Sequence, residues 1–131
     1  MGTVPLLSDA EASPEARAVF DDIRARRQTD YVNNFWRAMA HDPATLKAVW
    51  ERLQQVMAPG ALDPLVKEMI YIAVSTANGC EYCIHSHTAA ARARGMSPEQ
   101  HAELLAVIAM ASQTNALATA LQVPVDDRFM A

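Results

Sequence analysis

The sequence of residues 63–87, DPLVKEMIYIAVSTANGCEYCIHSH, contains the strongest structural signals of the chain. It begins with Asp63 and Pro64, a helix-capping acceptor followed by a proline at the first helical position, where a missing N–H costs nothing. Gly79 then suits the left-handed backbone that ends many helices. Directly after it come Cys80 and Cys83. The stretch therefore predicts a helix, a sharp turn and a second helix that begins with a dithiol.

The same helix-start signal recurs along the chain. A capping residue precedes a proline at Ser13, Asp42 and Ser97 as well, and Gln100 completes a capping box with Ser97. Nowhere do β-branched and polar residues alternate cleanly between turn signals, so no strand is predicted. We predict an all-α fold, a bundle of about six to seven helices. The predicted helices span residues 14–27, 33–40, 43–57, 64–78, 81–94, 98–111 and 114–121.

Length and composition fit one globular domain. The chain has 131 residues, 51% of them hydrophobic, and a net charge of -4. We therefore predict a single domain over residues 1–131, with an irregular N-terminal arm and a C-terminal tail. No basic run supports nucleic-acid binding, and no segment looks like a secretory leader or a membrane span. The expected location is cytoplasmic, with no nucleic-acid or membrane partner.

The two cysteines form the candidate reactive group. Cys80 and Cys83 are the only cysteines in the chain, and a CxxC pair in the cytoplasm is more often catalytic or metal-binding than structural. At a helix start both face the same side, so their sulfurs can meet. There the helix dipole favours thiolate and lowers a cysteine pKa from about 8.5. The pattern indicates a dithiol that reduces a small oxidant, a peroxide, by becoming a disulfide.

Four neighbours of the dithiol are candidates for supporting roles. His87 lies one helical turn after Cys83 and is placed to act as its base or hydrogen-bond donor. Glu68 lies in an apolar helix that would disfavour its charged form, so it could orient the imidazole or exchange its proton. Tyr82 is expected to pack, for example at a subunit contact, and His85 to be a surface or supporting group.

Two other interpretations of the same residues stay open. Cys80, Cys83 and His87, with Glu68 or His85, could bind zinc in a structural or regulatory module, although structural zinc sites usually draw ligand pairs from two separate segments. A non-enzymatic oligomeric binding protein would leave the dithiol inert.

Residues 65–74 are apolar nearly all round, which is typical of a helix covered by neighbours or by another subunit, so we predict a homo-oligomer.

The spacing of the candidate residues resembles a known family pattern. Glu68, Cys80, Cys83 and His87 together give EX11CX2CX3H, which resembles the motif of the AhpD-like alkylhydroperoxidases in the carboxymuconolactone decarboxylase superfamily. The flanking sequences are similar too, at residues 34–43 and at the turn of residues 95–97. The resemblance covers roughly residues 15–115, the size of one such domain.

This resemblance implies an AhpD-like helical fold, trimers or hexamers, and peroxidase activity without haem or metal. It implies that Cys83 is the peroxidatic sulfur and Cys80 the resolving one, in a redox-active disulfide, with Glu68 and His87 relaying the proton. The implied partners are a small hydroperoxide and a reductant carrying thiol or lipoyl groups. One departure is Tyr82, which stands where well-known members have a histidine. The superfamily name adds a third interpretation, a carboxymuconolactone decarboxylase-like enzyme, whose chemistry does not require a dithiol.

Overall fold

The computed structural model describes residues 2–130, so Met1 and Ala131, the ends of the predicted arm and tail, lie outside the described residues. Within this range the chain forms helices and no strand, which confirms the all-α prediction. The helices are α1 Pro14–Arg27, α2 Asn34–Met39, α3 Pro43–Met57, α4 Pro64–Ala77, α5 Glu81–Ala93 and α6 Pro98–Leu121, followed by a short 3-10 helix, Asp127–Phe129. The first five lie within one residue of their predicted ends.

Side-chain caps begin the helices as the sequence predicts. Ser13, Asp42 and Asp63 each accept a hydrogen bond from a backbone N–H in the first turn of the helix that follows. Ser97 does the same for α6, where the Gln100 N–H donates to its hydroxyl at 3.0 Å and the Gln100 side chain accepts from the Ser97 N–H at 2.9 Å. The predicted capping box is therefore confirmed, and four starts are fixed by local hydrogen bonds.

The prediction of two helices over 98–111 and 114–121 is wrong, because α6 continues without a break. The polar residues between the two predicted segments include neither glycine nor proline, so nothing there stops the backbone hydrogen bonding. The Thr114 hydroxyl donates to the Met110 carbonyl at 3.1 Å, which satisfies it inside the helix. The helix ends at Gln122, whose φ of 48° is left-handed.

The chain divides into two compact units, residues up to 58 and residues from 59 onward. In the first unit α3 packs against α1 and α2 around an apolar core. The Trp50 indole N–H donates to Asp22 Oδ2 at 2.7 Å, so its one polar atom is satisfied at the edge of that core. The largest fully buried side chains of this unit are Trp50, Phe20, Ile23, Leu46 and Val32.

The second unit carries the dithiol. Here α4 packs mainly against α5 and also against α6, around a small core of Ile72, Ala91 and Met96. One face of α4 is buried, whereas its other face exposes Val66, Ile70 and Val74. The apolar helix predicted from residues 65–74 is therefore covered on one side only within the chain.

The single-domain assignment stays a prediction.

Among residues 2–130, no helix combines the length and the apolar character that a membrane crossing requires.

Candidate active site

One turn places the dithiol at the start of α5. Gly79 has a left-handed φ of 67° and donates its N–H to the Thr76 carbonyl at 3.1 Å, while the Cys80 N–H donates to the Ser75 carbonyl at 2.9 Å. This is the paired hydrogen-bond pattern that closes a helix around a glycine. A β-carbon at Gly79 would meet no atom within 4 Å, so its φ, and not lack of space, favours glycine. The turn makes Cys80 the N-cap of α5 with no linker between the helices.

The two sulfurs have unequal proton affinities. Both cysteines are half-buried and free, and the Cys83 backbone N–H donates to Cys80 Sγ at 3.4 Å. Hydrogen bonds from the Cys83 thiol and from that N–H lower the pKa of Cys80. Burial, together with the hydrogen bond and the charge of Cys80, raises the pKa of Cys83 to about 11. The first ionisation of the dithiol therefore leaves the thiolate on Cys80 and the proton on Cys83.

The structure brings Glu68 and His87 into direct contact. Glu68 Oε2 lies 2.7 Å from His87 Nδ1, and the Glu68 residue is only 4% exposed. A carboxylate at this distance accepts the Nδ1 proton, which leaves Nε2 as the ring nitrogen available for proton exchange when the imidazole is neutral. The contact joins α4 to α5 one turn beyond the dithiol.

A third side chain, Arg94, contacts the same carboxyl group. Arg94 Nε lies 3.5 Å from Glu68 Oε1, on the oxygen that His87 does not use. Ala91, a fully buried residue of α5 that lies between His87 and Arg94 in the sequence, has a side chain small enough to let α4 approach closely. The sequence predicted apolar surroundings for Glu68, but it did not predict this cation.

The ring of Tyr71 covers one face of His87. The two ring centroids lie 3.5 Å apart and the planes differ by 18°, a stacked arrangement. Burial raises the pKa of Tyr71, and so do the negative charges of Cys83, Glu68 and Cys80, in that order. The phenol therefore shares one site with both sulfurs and the carboxylate.

The remaining candidates lie at the surface. Tyr82 is 43% exposed, and the packing expected for it at a subunit contact stays a prediction. His85 is exposed on α5, and a supporting role for it stays a prediction.

Sequence reasoning missed Tyr71 and Arg94, although spacing carries a signal for both. Tyr71 follows Glu68 by three residues, so both lie on one face of α4, and Arg94, the C-cap of α5, follows His87 by seven residues, which is two helical turns. Such spacing is common, and only the packing of α4 on α5 shows which neighbours meet.

The described residues contain no preformed ligand set for a metal. Across residues 2–130, no three histidine, cysteine, aspartate or glutamate side chains are grouped so that they could hold an ion. His87 Nδ1 is already engaged by Glu68. The geometry therefore gives the zinc interpretation no specific support.

Comparison with known proteins places this site in a family. The model of the carboxymuconolactone decarboxylase family matches residues 43–126. The crystal structure of the alkylhydroperoxidase AhpD core from Rhodospirillum rubrum superposes with a TM-score of 0.96 at 64% identity, covering 100% of this chain and 98% of that one. The chain belongs to the carboxymuconolactone decarboxylase family, within its AhpD-like group. The predicted AhpD-like fold is confirmed.

Two curated relatives share the name alkyl hydroperoxide reductase AhpD. The protein from Solibacter usitatus is 40% identical over 72 residues, which are 55% of this chain and 39% of that protein. The protein from Anaeromyxobacter sp. strain K is 30% identical over 113 residues, 80% of this chain and 58% of that protein. The chain thus spans less than two thirds of the length of either relative.

The unequal thiols predict selective alkylation. Near neutral pH, a limiting amount of iodoacetamide should modify Cys80 before Cys83, because the Cys80 thiol has the lower pKa and therefore the larger thiolate fraction. We expect a preference of about tenfold or more, since the larger thiolate fraction is partly offset by lower intrinsic nucleophilicity. Fragmentation of the tryptic peptide that holds both cysteines measures the ratio.

The denatured protein is the control, because both thiols should react alike once the helix start is lost. Equal labelling in the native protein, or faster labelling of Cys83, would show that the proton distribution is wrong.

Proposed function

We propose that this protein is a thiol-dependent peroxidase that reduces alkyl hydroperoxides by cycling Cys80 and Cys83 between dithiol and disulfide. One observation carries the proposal: a hydrogen-bonded dithiol at the start of a helix, one turn from a histidine held by a buried glutamate. The names of the relatives and of the superposed crystal structure support hydroperoxides as the substrate class.

The dithiol supplies both electrons and both protons that the reaction needs. A thiolate attacks the peroxide oxygen, so an S–O bond forms while the O–O bond breaks, and the leaving alkoxide takes a proton to become an alcohol. The second sulfur then attacks the sulfenic acid, an S–S bond forms, and water leaves. The sum converts a hydroperoxide and a dithiol into an alcohol, water and a disulfide, so no further cofactor enters the proposal.

The unequal thiols place a requirement on the order of attack that the family resemblance implies. Cys83 keeps its proton in the dithiol, because its pKa is raised to about 11, so it needs a base before it can attack. His87 accepts that proton through Nε2, and its imidazolium, held by Glu68, then protonates the departing alkoxide. Cys80, whose pKa is lowered, supplies the thiolate for the second step.

The disulfide must be reduced again by another molecule. A protein reductant carrying a thiol or lipoyl group would open it by thiol–disulfide exchange, in which one thiolate attacks one sulfur of the Cys80–Cys83 bond. A reducing compartment such as the cytoplasm would keep such a donor in its reduced form. We therefore propose that the protein is located in the cytoplasm.

Single-cysteine variants test the proposed cycle. Cys83→Ser should lose about two orders of magnitude or more of peroxide consumption, since the attacking sulfur is gone. Cys80→Ser should complete the first step only and leave a sulfenic acid on Cys83, detectable by mass spectrometry as a dimedone adduct.

His87→Gln should slow turnover by about 10²-fold or more, whereas His101→Gln, a matched histidine change on α6, should not.

Wild-type peroxide consumption by Cys83→Ser would contradict the proposed nucleophile. Turnover that survived replacement of both cysteines would instead revive the decarboxylase-like interpretation, since that chemistry does not require a dithiol.

We propose further that the protein is a homo-oligomer, a trimer or hexamer as the family resemblance implies, with a second copy of the chain covering α6. None of the 24 residues of α6 is buried. Val107, Met110, Leu117 and Leu121 are 53–72% exposed and, with Thr114, alternate spacings of three and four residues. This is the heptad spacing of a seam that packs against another helix. A second copy supplies such a helix, and pairing would remove these side chains from water.

Light scattering after size exclusion tests the assembly. The wild type should have a mass three or six times the 14.3 kDa of one chain. Leu117→Asp places a charge in the seam and should shift the protein to smaller species, because a buried unpaired charge is costly. Ser112→Asp, on the opposite side of α6, is the matched control and should leave the mass unchanged. A wild-type monomer, or equal behaviour of the two variants, would contradict this assembly.

A further inference from the structure

Two contacts hold the His87 ring, and they constrain different motions. The hydrogen bond from Nδ1 to Glu68 Oε2, at 2.7 Å, fixes one point on the edge of the ring. A single hydrogen bond still lets the ring turn about that contact. The Tyr71 ring, stacked at 3.5 Å between centroids and 18° between planes, covers the face and opposes that rotation.

Both contacts come from the same helix. Tyr71 lies three residues after Glu68 on α4, so one helix face presents a carboxylate to the edge of the imidazole and a phenol ring to its face. His87 lies on α5, four residues after Cys83. The plane of the imidazole is therefore set by α4, while the distance between the imidazole and the Cys83 sulfur is set by α5.

We infer that Tyr71 is a positioning residue for His87: its ring fixes the imidazole plane in which Nε2 can exchange a proton with the Cys83 sulfur. The kinetic part of this inference rests on the proposed peroxidase function. The structural part, the clamping of the His87 ring between Glu68 and Tyr71, does not.

The surroundings of Tyr71 favour a role for its ring over a role for its hydroxyl as a base. Burial and the charges of Cys83, Glu68 and Cys80 all raise the pKa of the phenol, so it stays protonated and neutral near neutral pH. A neutral phenol does not compete with His87 for the Cys83 proton. What remains is the flat ring against the imidazole.

Two substitutions separate the ring from the hydroxyl. Tyr71→Phe keeps the ring and should retain kcat within about twofold, whereas Tyr71→Leu removes the stack and should lower kcat about tenfold or more with KM largely kept, because a misplaced base slows proton transfer without changing substrate binding. Tyr31→Leu, at a 62% exposed tyrosine of the first unit, is the matched control and should behave as wild type.

A spectroscopic signature measures the stack without reference to turnover. The ring current of Tyr71 should shift the His87 ring protons upfield in the wild type and in Tyr71→Phe, and the shift should be lost in Tyr71→Leu. Circular dichroism checks that each variant is folded. If Tyr71→Leu does not fold, Tyr71→Met, which is also apolar and non-aromatic, replaces it with the same expectations.

Three results would overturn the inference: unshifted His87 resonances in the wild type, full kcat in Tyr71→Leu, or an equal loss of kcat in Tyr71→Phe, which would assign the role to the hydroxyl. A wild type that consumes no peroxide would overturn the proposed function instead. The His87 ring shifts would then decide the clamping by themselves, because they do not depend on any substrate.

Discussion

The contact between Glu68 and His87 constrains the rest of the second unit. The Glu68 residue is 4% exposed, and a carboxyl group buried in this way is costly unless its oxygens find partners. Glu68 has two: His87 of α5 on one oxygen and Arg94, the residue at the C-terminal cap of α5, on the other. If α5 slid along or rotated against α4, the buried carboxylate would lose these partners. The same contact that fixes the helix pair therefore also places an imidazole one turn from the dithiol.

The turn at Gly79 adds the second constraint. Because it closes α4 and begins α5 within three residues, the dithiol lies directly at the N-terminal end of α5, where Cys83 donates its backbone N–H to the Cys80 sulfur. As a result, two chemically identical side chains have different thiol pKa values. Cys80 is the better thiolate, and Cys83 keeps its proton until a base removes it. A histidine beside the dithiol then has a defined task in the proposed cycle.

Much of this arrangement is local and could be predicted from the sequence. The caps at Asp63 and Ser97 and the left-handed Gly79 depend on residues within one turn of each other, and the structure contains all three. The split of α6 was wrong because polar residues alone do not end a helix. The partners Arg94 and Tyr71 depend on how α4 packs on α5, which no local pattern specifies. The raised pKa of Cys83 likewise depends on burial by packed neighbours, so helix-dipole reasoning alone could not distinguish the two thiols.

In the proposed function, Cys80 and Cys83 act as one two-electron redox centre. The most direct measurement is a thiol titration of the reduced protein before and after one equivalent of an alkyl hydroperoxide, with mass spectrometry of the tryptic peptide that contains both cysteines. We predict rapid loss of both thiols and a mass decrease equal to two hydrogens, without added metal. Two thiols that persist after the peroxide is added, with an unchanged peptide mass, would contradict the claim.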